Sequence, residues 1–194
     1  MSRLSLLARV AVFPLVALAC DGGSDVVEGA GPKVEVVTGH AAPAPGAFGA
    51  VAFQCCDVPA AKAVVDGFVA LGTALAADDL DGSKAKAKAF AAVLAADGAT
   101  LTGDAETIGK LSALAGRMVS HAAIEDIREE YLDASPEVLA LARAHKAESG
   151  STYAVAFCPM KPGRWLQTAE PLANPYYGAS MLRCGTFEAL APAN

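Results

Sequence analysis

The chain has 194 residues, 54% of them hydrophobic and 19% charged, with a formal net charge of −6; this suits one globular domain with non-globular segments attached. An acidic balance disfavours nucleic acid and anionic lipid surfaces as partners. It mildly favours cations, although acids on solvated helix faces account for most of it.

The N-terminus reads as a targeting segment. MSRLSLLARVAVFPLVALAC sets Arg3 and Arg9 around the start of a ten-residue apolar run, Val10 to Ala19, that ends in small residues; this is the pattern of a bacterial export signal over residues 1–19. Such a run is short of the ~20 residues that span a bilayer. Ala17-Leu18-Ala19 fits ordinary secretory cleavage, while Cys20 resembles the lipidated cysteine of bacterial lipoproteins. The expected location is therefore the periplasmic face of a membrane through a lipid on Cys20, with free secretion as the alternative. Removing Arg3 and Arg9 from the 15 basic residues leaves 13 against 21 acidic ones, net −8. Residues 20–56, rich in Gly, Ala and Pro, read as a flexible tether, and His40 within it is incidental.

From Asp57 the periodicity becomes helical. Asp57 is a candidate N-cap with Pro59 in the first turn, and Ala61, Val64, Val65, Phe68, Leu71 and Leu75 recur at helical spacing until Gly82. Ser83 caps a second helix with Ala87, Phe90, Ala91 and Leu94 on one face and Lys84, Lys86 and Lys88 toward solvent. A third begins near Asp104 and turns Ile108, Leu111, Ala115, Met118 and Val119 inward. The fourth carries Ile124, Ile127, Tyr131 and Leu132, restarts or kinks at Ser135-Pro136, and ends before Gly150. The expected class is all-α: an up-and-down four-helix bundle over 57–190. An irregular flap, 151–190, holds a short extended run (TYAVAF) and most of the remaining Cys and Met.

The flap carries the chemistry. In an extended segment Cys158 and Met160 point to one side, and in a helical turn Met181 and Cys184 share a face. Asn174-Pro175 and Gly178 supply turn residues that fold one pair onto the other. Thiolate and thioether are soft donors that select Cu(I), with Ag(I) as its mimic, over Mg, Ca or Mn. A structural zinc site would want four Cys or His at closed spacing, and no C-x-x-C or H-x-x-x-H occurs.

The run C-P-M, then W-L, N-P-Y-Y-G and M-L-R-C-G resembles the bacterial domain of unknown function 3347. HAAIEDIREEYLDASPEVLALA is similar to the same family's acidic helix, with Arg128 near its expected place, Tyr131 at the aromatic position and Ala134 where Leu is usual. The resemblance covers residues 60 to 190. It implies a helical domain found in exported lipoproteins and fused to periplasmic adaptors of heavy-metal efflux systems. The role carried over is copper or heavy-metal handling by Cys158, Met160, Met181, Cys184 and His121, with an efflux adaptor or another periplasmic metal-handling protein as partner. C-P-M-K-P also resembles a C-P-M-H-P metal-binding core in which Lys161 replaces the His.

Plainer roles stand beside these. Cys158 and Cys184, 26 residues apart, could form a disulfide worth about 3–4 kcal/mol by loop closure. Met160 and Met181 could be core filler, His121 an interfacial histidine, and Trp165, Tyr176 and Tyr177 packing residues. Cys55-Cys56 reads as a second staple or free thiols. A disulfide-stapled interaction lipoprotein is the alternative function. An enzyme is not expected, since no Ser/His/Asp set, phosphate-cradling loop or redox C-x-x-C is present.

Overall fold

The structure, a computed structural model, describes residues 48–192. The expected export signal, Cys20, His40 and the expected tether up to residue 47 lie outside the described residues.

Four helices form as the periodicity predicts: α1 (Pro59–Ala76), α2 (Leu80–Ala96), α3 (Ala105–Ser120) and α4 (Ile124–Ala144). Each packs on the next and α4 closes on α1. The expected all-α class is nevertheless overturned. Strands β1 (Phe53–Cys55), β2 (Ser151–Cys158), β3 (Gly163–Gln167) and β4 (Thr186–Glu188) make one four-stranded antiparallel sheet, so the fold is mixed helix and sheet. The expected irregular flap supplies three of the four strands. β1 comes from the expected tether, which makes residues 48–56 part of the fold.

β2 is the central strand. β3 pairs along one edge, with Ala154 opposite Gln167 and Cys158 opposite Gly163. β1 and β4 share the other edge end to end, Cys55 lying opposite Ser151 and Thr186 opposite Phe157. Tyr153 to Ala156 are all buried, so β2 reads as a continuous apolar run rather than the alternation of a half-exposed strand. The edge strands β1 and β4 are three residues each, too short to display a period.

Helix ends also differ from expectation. Val58, not Asp57, precedes α1, with Pro59 at its start. Asp78 takes a left-handed conformation (φ 55°), and Asp79 rather than Ser83 caps α2, its Oδ1 accepting from the Gly82 amide at 2.8 Å. Gly82 therefore sits inside α2, where a Cβ would collide with the Asp79 carboxylate. α4 runs through Pro136 without a restart. Val119 is 42% exposed rather than inward.

Two side chains of α4 with buried polar groups pack across the layers, Arg128 through hydrogen bonds and Tyr131 through its ring. Arg128, 7% exposed, donates from Nη2 to Leu75 O at 2.8 Å and to Asp78, and from Nε to Pro175 O at 3.0 Å. Tyr131 stacks on Phe68 at 4.1 Å between ring centroids. Its hydroxyl is buried without a hydrogen-bond partner among the described residues and faces Gly72, where any Cβ would meet it. Burial raises that phenol well above the ordinary tyrosine range, with a smaller contribution from Tyr176.

Replacing Arg128 by Met keeps the stem but strands two carbonyls and Asp78, and is expected to cost about 3 kcal/mol in urea unfolding. Tyr131→Phe keeps the stacked ring and removes a hydroxyl that has lost its water. It is expected to raise stability by about 1 kcal/mol in the same measurement.

Candidate functional site

Cys158 is the last residue of β2, and the loop Pro159-Met160-Lys161-Pro162 returns the chain to Gly163 in β3. Cys184 lies just ahead of β4. The β2–β4 register ends at Phe157 opposite Thr186, so one further step sets Cys158 against Gly185, the neighbour of Cys184. Gly185 has φ 139° and approaches Phe157 O so closely that a Cβ would stand 2.7 Å from it. This close approach brings the two sulfurs to 3.7 Å.

Asn174 fixes the loop that carries Cys184. Fully buried, it donates from Nδ2 to Cys184 O at 2.9 Å and accepts from the Tyr176 amide at 2.8 Å. Its own amide bonds Leu182 O at 2.9 Å and its carbonyl accepts from Gly178 at 3.2 Å. The 3₁₀ turn Gly178–Met181 follows, tied to the α1–α2 corner by Ala179 N donating to Asp78 Oδ2 at 2.7 Å. That hydrogen bond, then the one from Arg128, holds the Asp78 carboxyl below its usual range. Tyr176 packs edge-on against Trp165 with ring centroids 5.6 Å apart, and both rings are buried under the loop.

The two thiols differ in character. Burial pushes Cys158 up, but the Lys161 amide, the Asn174 side chain, the Met160 amide and the Cys184 thiol together hold it below the ordinary thiol range. Cys184 is raised, by burial first and then by donating to Cys158 and facing its negative charge. Cys158 has no exposed surface, whereas Cys184 is half-buried.

The other expected ligands differ from this pair in exposure and surroundings. Met160 is 62% and Met181 38% exposed, so neither is the core filler that its plainer role would make it. His121 is the C-cap of α3 with an extended backbone, not a mid-helix residue. Its ring nitrogens address Glu130 at 3.4 Å and Asp126 at 4.0 Å. Lys161 pairs through Nζ with Glu129, which draws its charge toward α4 while its amide serves the Cys158 sulfur. Among the described residues no three His, Cys, Asp or Glu side chains converge as a metal-binding group. A metal here would rest on the two cysteines, with thioethers as the nearest soft additions in sequence.

Cys158 and Cys184 are unbonded thiols, whereas Cys55 and Cys56 form a disulfide with each other. That disulfide sits at the other end of β2, opposite Ser151, seven residues or about 24 Å from Cys158 at strand rise. A cleft of about 750 Å³ between α4, β3 and the chain end, lined by Leu139, Arg143, Arg164 and Glu188, contains none of the expected ligands. A smaller one of about 280 Å³ lies between α4 and the loops of the sulfur pair, lined by Glu129, Lys161, Tyr177 and Ser180.

Sequence reasoning treated Asn174 only as a turn residue and placed no weight on Asp78. Arg128 carried a readable signal: it falls on the apolar stripe Ile124, Ile127, Tyr131 and so had to be buried with acceptors. Compared with known protein families, curated proteins and solved structures, the chain matches none.

The two thiols are expected to titrate as a coupled pair, one proton leaving below the ordinary thiol value of about 8.5 and the second above it. Ultraviolet thiolate absorbance against pH reads both steps, and Asn174→Ala should move the lower one upward. The Cys158 contribution to stability is complete above about pH 8.5 and is lost as pH falls through its depressed folded value. That of Cys184 is complete below about pH 8.5 and is lost as pH rises through its raised value.

Proposed function

We propose that this chain is an extracytoplasmic soft-metal-binding protein, anchored through Cys20, that holds one Cu(I) between Cys158 and Cys184 and serves copper or heavy-metal homeostasis or efflux. The observation that carries the reading is the 3.7 Å separation of two sulfurs that lie 26 residues apart in the chain. Two thiolates on one metal at about 2.3 Å, the zinc–thiolate distance, stand about 3.8 Å apart at a tetrahedral angle, and farther apart as the angle opens. The pair therefore meets the spacing of a shared ion without rearrangement of the backbone.

Chemistry favours a soft, low-coordinate ion. Two thiols and two thioethers offer nothing to Mg or Ca, and the neighbouring carboxylates are engaged with cations: Glu129 with Lys161 and Glu130 with Arg117. Met160 and Met181 are exposed on the loops that carry Cys158 and Cys184, free to swing onto a bound ion as third or fourth ligands. The protein's role is then to buffer Cu(I), or to pass it to an efflux adaptor or another periplasmic metal-handling protein. The motif's resemblance to the domain of unknown function 3347 family supports the same reading.

Titration of the fully reduced protein with Cu(I) against a competing chelator tests it. One equivalent is expected, lost in Cys158→Ser and in Cys184→Ser, and bound more weakly when Met160 and Met181 are both changed to Leu. No uptake by the reduced wild type sinks the reading, and unchanged affinity in the double Leu variant removes the methionines from the site.

A further inference from the structure

We propose that Cys158 and Cys184 are also a thiol–disulfide exchange centre in which Cys184 meets the incoming disulfide and Cys158 closes the bond, releasing any metal the pair holds. Only the release rests on the metal reading; the exchange stands on geometry alone.

The sulfurs are 3.7 Å apart, and a disulfide bond is about 2.05 Å, so about 1.7 Å of side-chain motion joins them. Their backbones are already held side by side. Cys158 ends a strand paired to Gly163, and Cys184 is pinned by its amide to Met181 O at 2.9 Å and by its carbonyl to Asn174. Access then decides the order of events. With relative exposure of 0%, Cys158 cannot meet a reagent in solution, whereas Cys184 can.

The oxidant is a low-molecular-weight disulfide, RS–SR. Cys184 loses its proton to solvent, its sulfur bonds to one sulfur of RS–SR, and the S–S bond of the reagent breaks to release RS⁻. The Cys158 thiolate then attacks the Cys184 sulfur, forming the intramolecular bond and expelling the second RS⁻. Two thiols are oxidised, one RS–SR is reduced to two thiols, and the protons shed by the cysteines are taken up by the released thiolates. Cys55–Cys56 takes no direct part, because it lies at the opposite end of β2. The new bond removes both lone thiolates from a shared ion, so a bridged protein has lost its principal ligands.

The full chain, equilibrated in glutathione buffers of rising disulfide fraction, alkylated and mapped by peptide mass, tests the exchange. A Cys158–Cys184 bridge is expected. Cys158→Ser should accumulate glutathione on Cys184, while Cys184→Ser should be modified at Cys158 at least about tenfold more slowly, as a buried thiol is. Absence of the bridge at every ratio overturns the proposal, as does equal modification of the two variants. Should either variant fail to fold, the wild-type time course replaces it: a transient adduct on Cys184 supports the order, and one on Cys158 overturns it. Cu(I) with a competing chelator separates the two readings. A bridge in a protein whose reduced form takes no Cu(I) keeps the exchange and discards the metal reading. Equal Cu(I) affinity of reduced and bridged protein discards the release.

Discussion

A guanidinium withdrawn from water has to find acceptors, and Arg128 finds them in three parts of the chain: the last turn of α1 at Leu75, the α1–α2 corner at Asp78, and the loop before Cys184 at Pro175. Arg is the side chain suited to this because its fork is planar, always charged and offers several donors at fixed angles. Asp78 is needed to balance the charge. Its left-handed backbone sets the carboxylate so that one oxygen faces Arg128 and the other takes the Ala179 amide. Gly178 has to be Gly there, with φ 55° and no room for a Cβ between Asp78 and Arg128.

The position of Cys184 depends on this tie. The loop from Asn174 to Gly185 buries Tyr176 against Trp165 and is held by polar contacts at both ends: Arg128 and Asp78 at one, Asn174 on Cys184 at the other. Cys158 is placed by a different means, as the end of a strand paired on both edges. One sulfur is therefore fixed by a sheet and the other by a hydrogen-bonded loop. That difference explains why one is wholly buried and the other reaches the surface.

The helical stripes were legible because Ala61, Val64, Phe68 and Leu71, and their counterparts on α2 to α4, repeat over several turns. The sheet was not. β1 pairs with residues nearly a hundred positions away, and neither β1 nor β4 is long enough to show alternation. The Cys pair was readable from its flanking turn residues, and the end of β2 decides where Met160 lies. Side chains two apart share a side only while the strand continues, and β2 stops at Cys158, which leaves Met160 in the turn. The named 3₁₀ turn ends at Met181, and the Cys184 amide still bonds Met181 O at 2.9 Å across the same i, i+3 spacing. His121 ends α3 and faces the carboxylates of Asp126 and Glu130 on α4.

Lys161 stands where the resembled C-P-M-H-P core has a His. Its ammonium is answered by Glu129 on α4, while its backbone N–H, which any residue would supply, helps hold negative charge on the Cys158 sulfur. A histidine in that place would have added a fixed donor; its absence leaves two held sulfurs and two thioethers on exposed side chains. On the metal reading, such a set binds an ion through few rigid contacts and lets the outer ligands come and go. Ligand exchange with a partner's sulfur then has a low barrier, which suits transfer better than storage. On that reading and the thiol-exchange proposal together, the exposure of Cys184 would give metal exchange and thiol exchange one point of access.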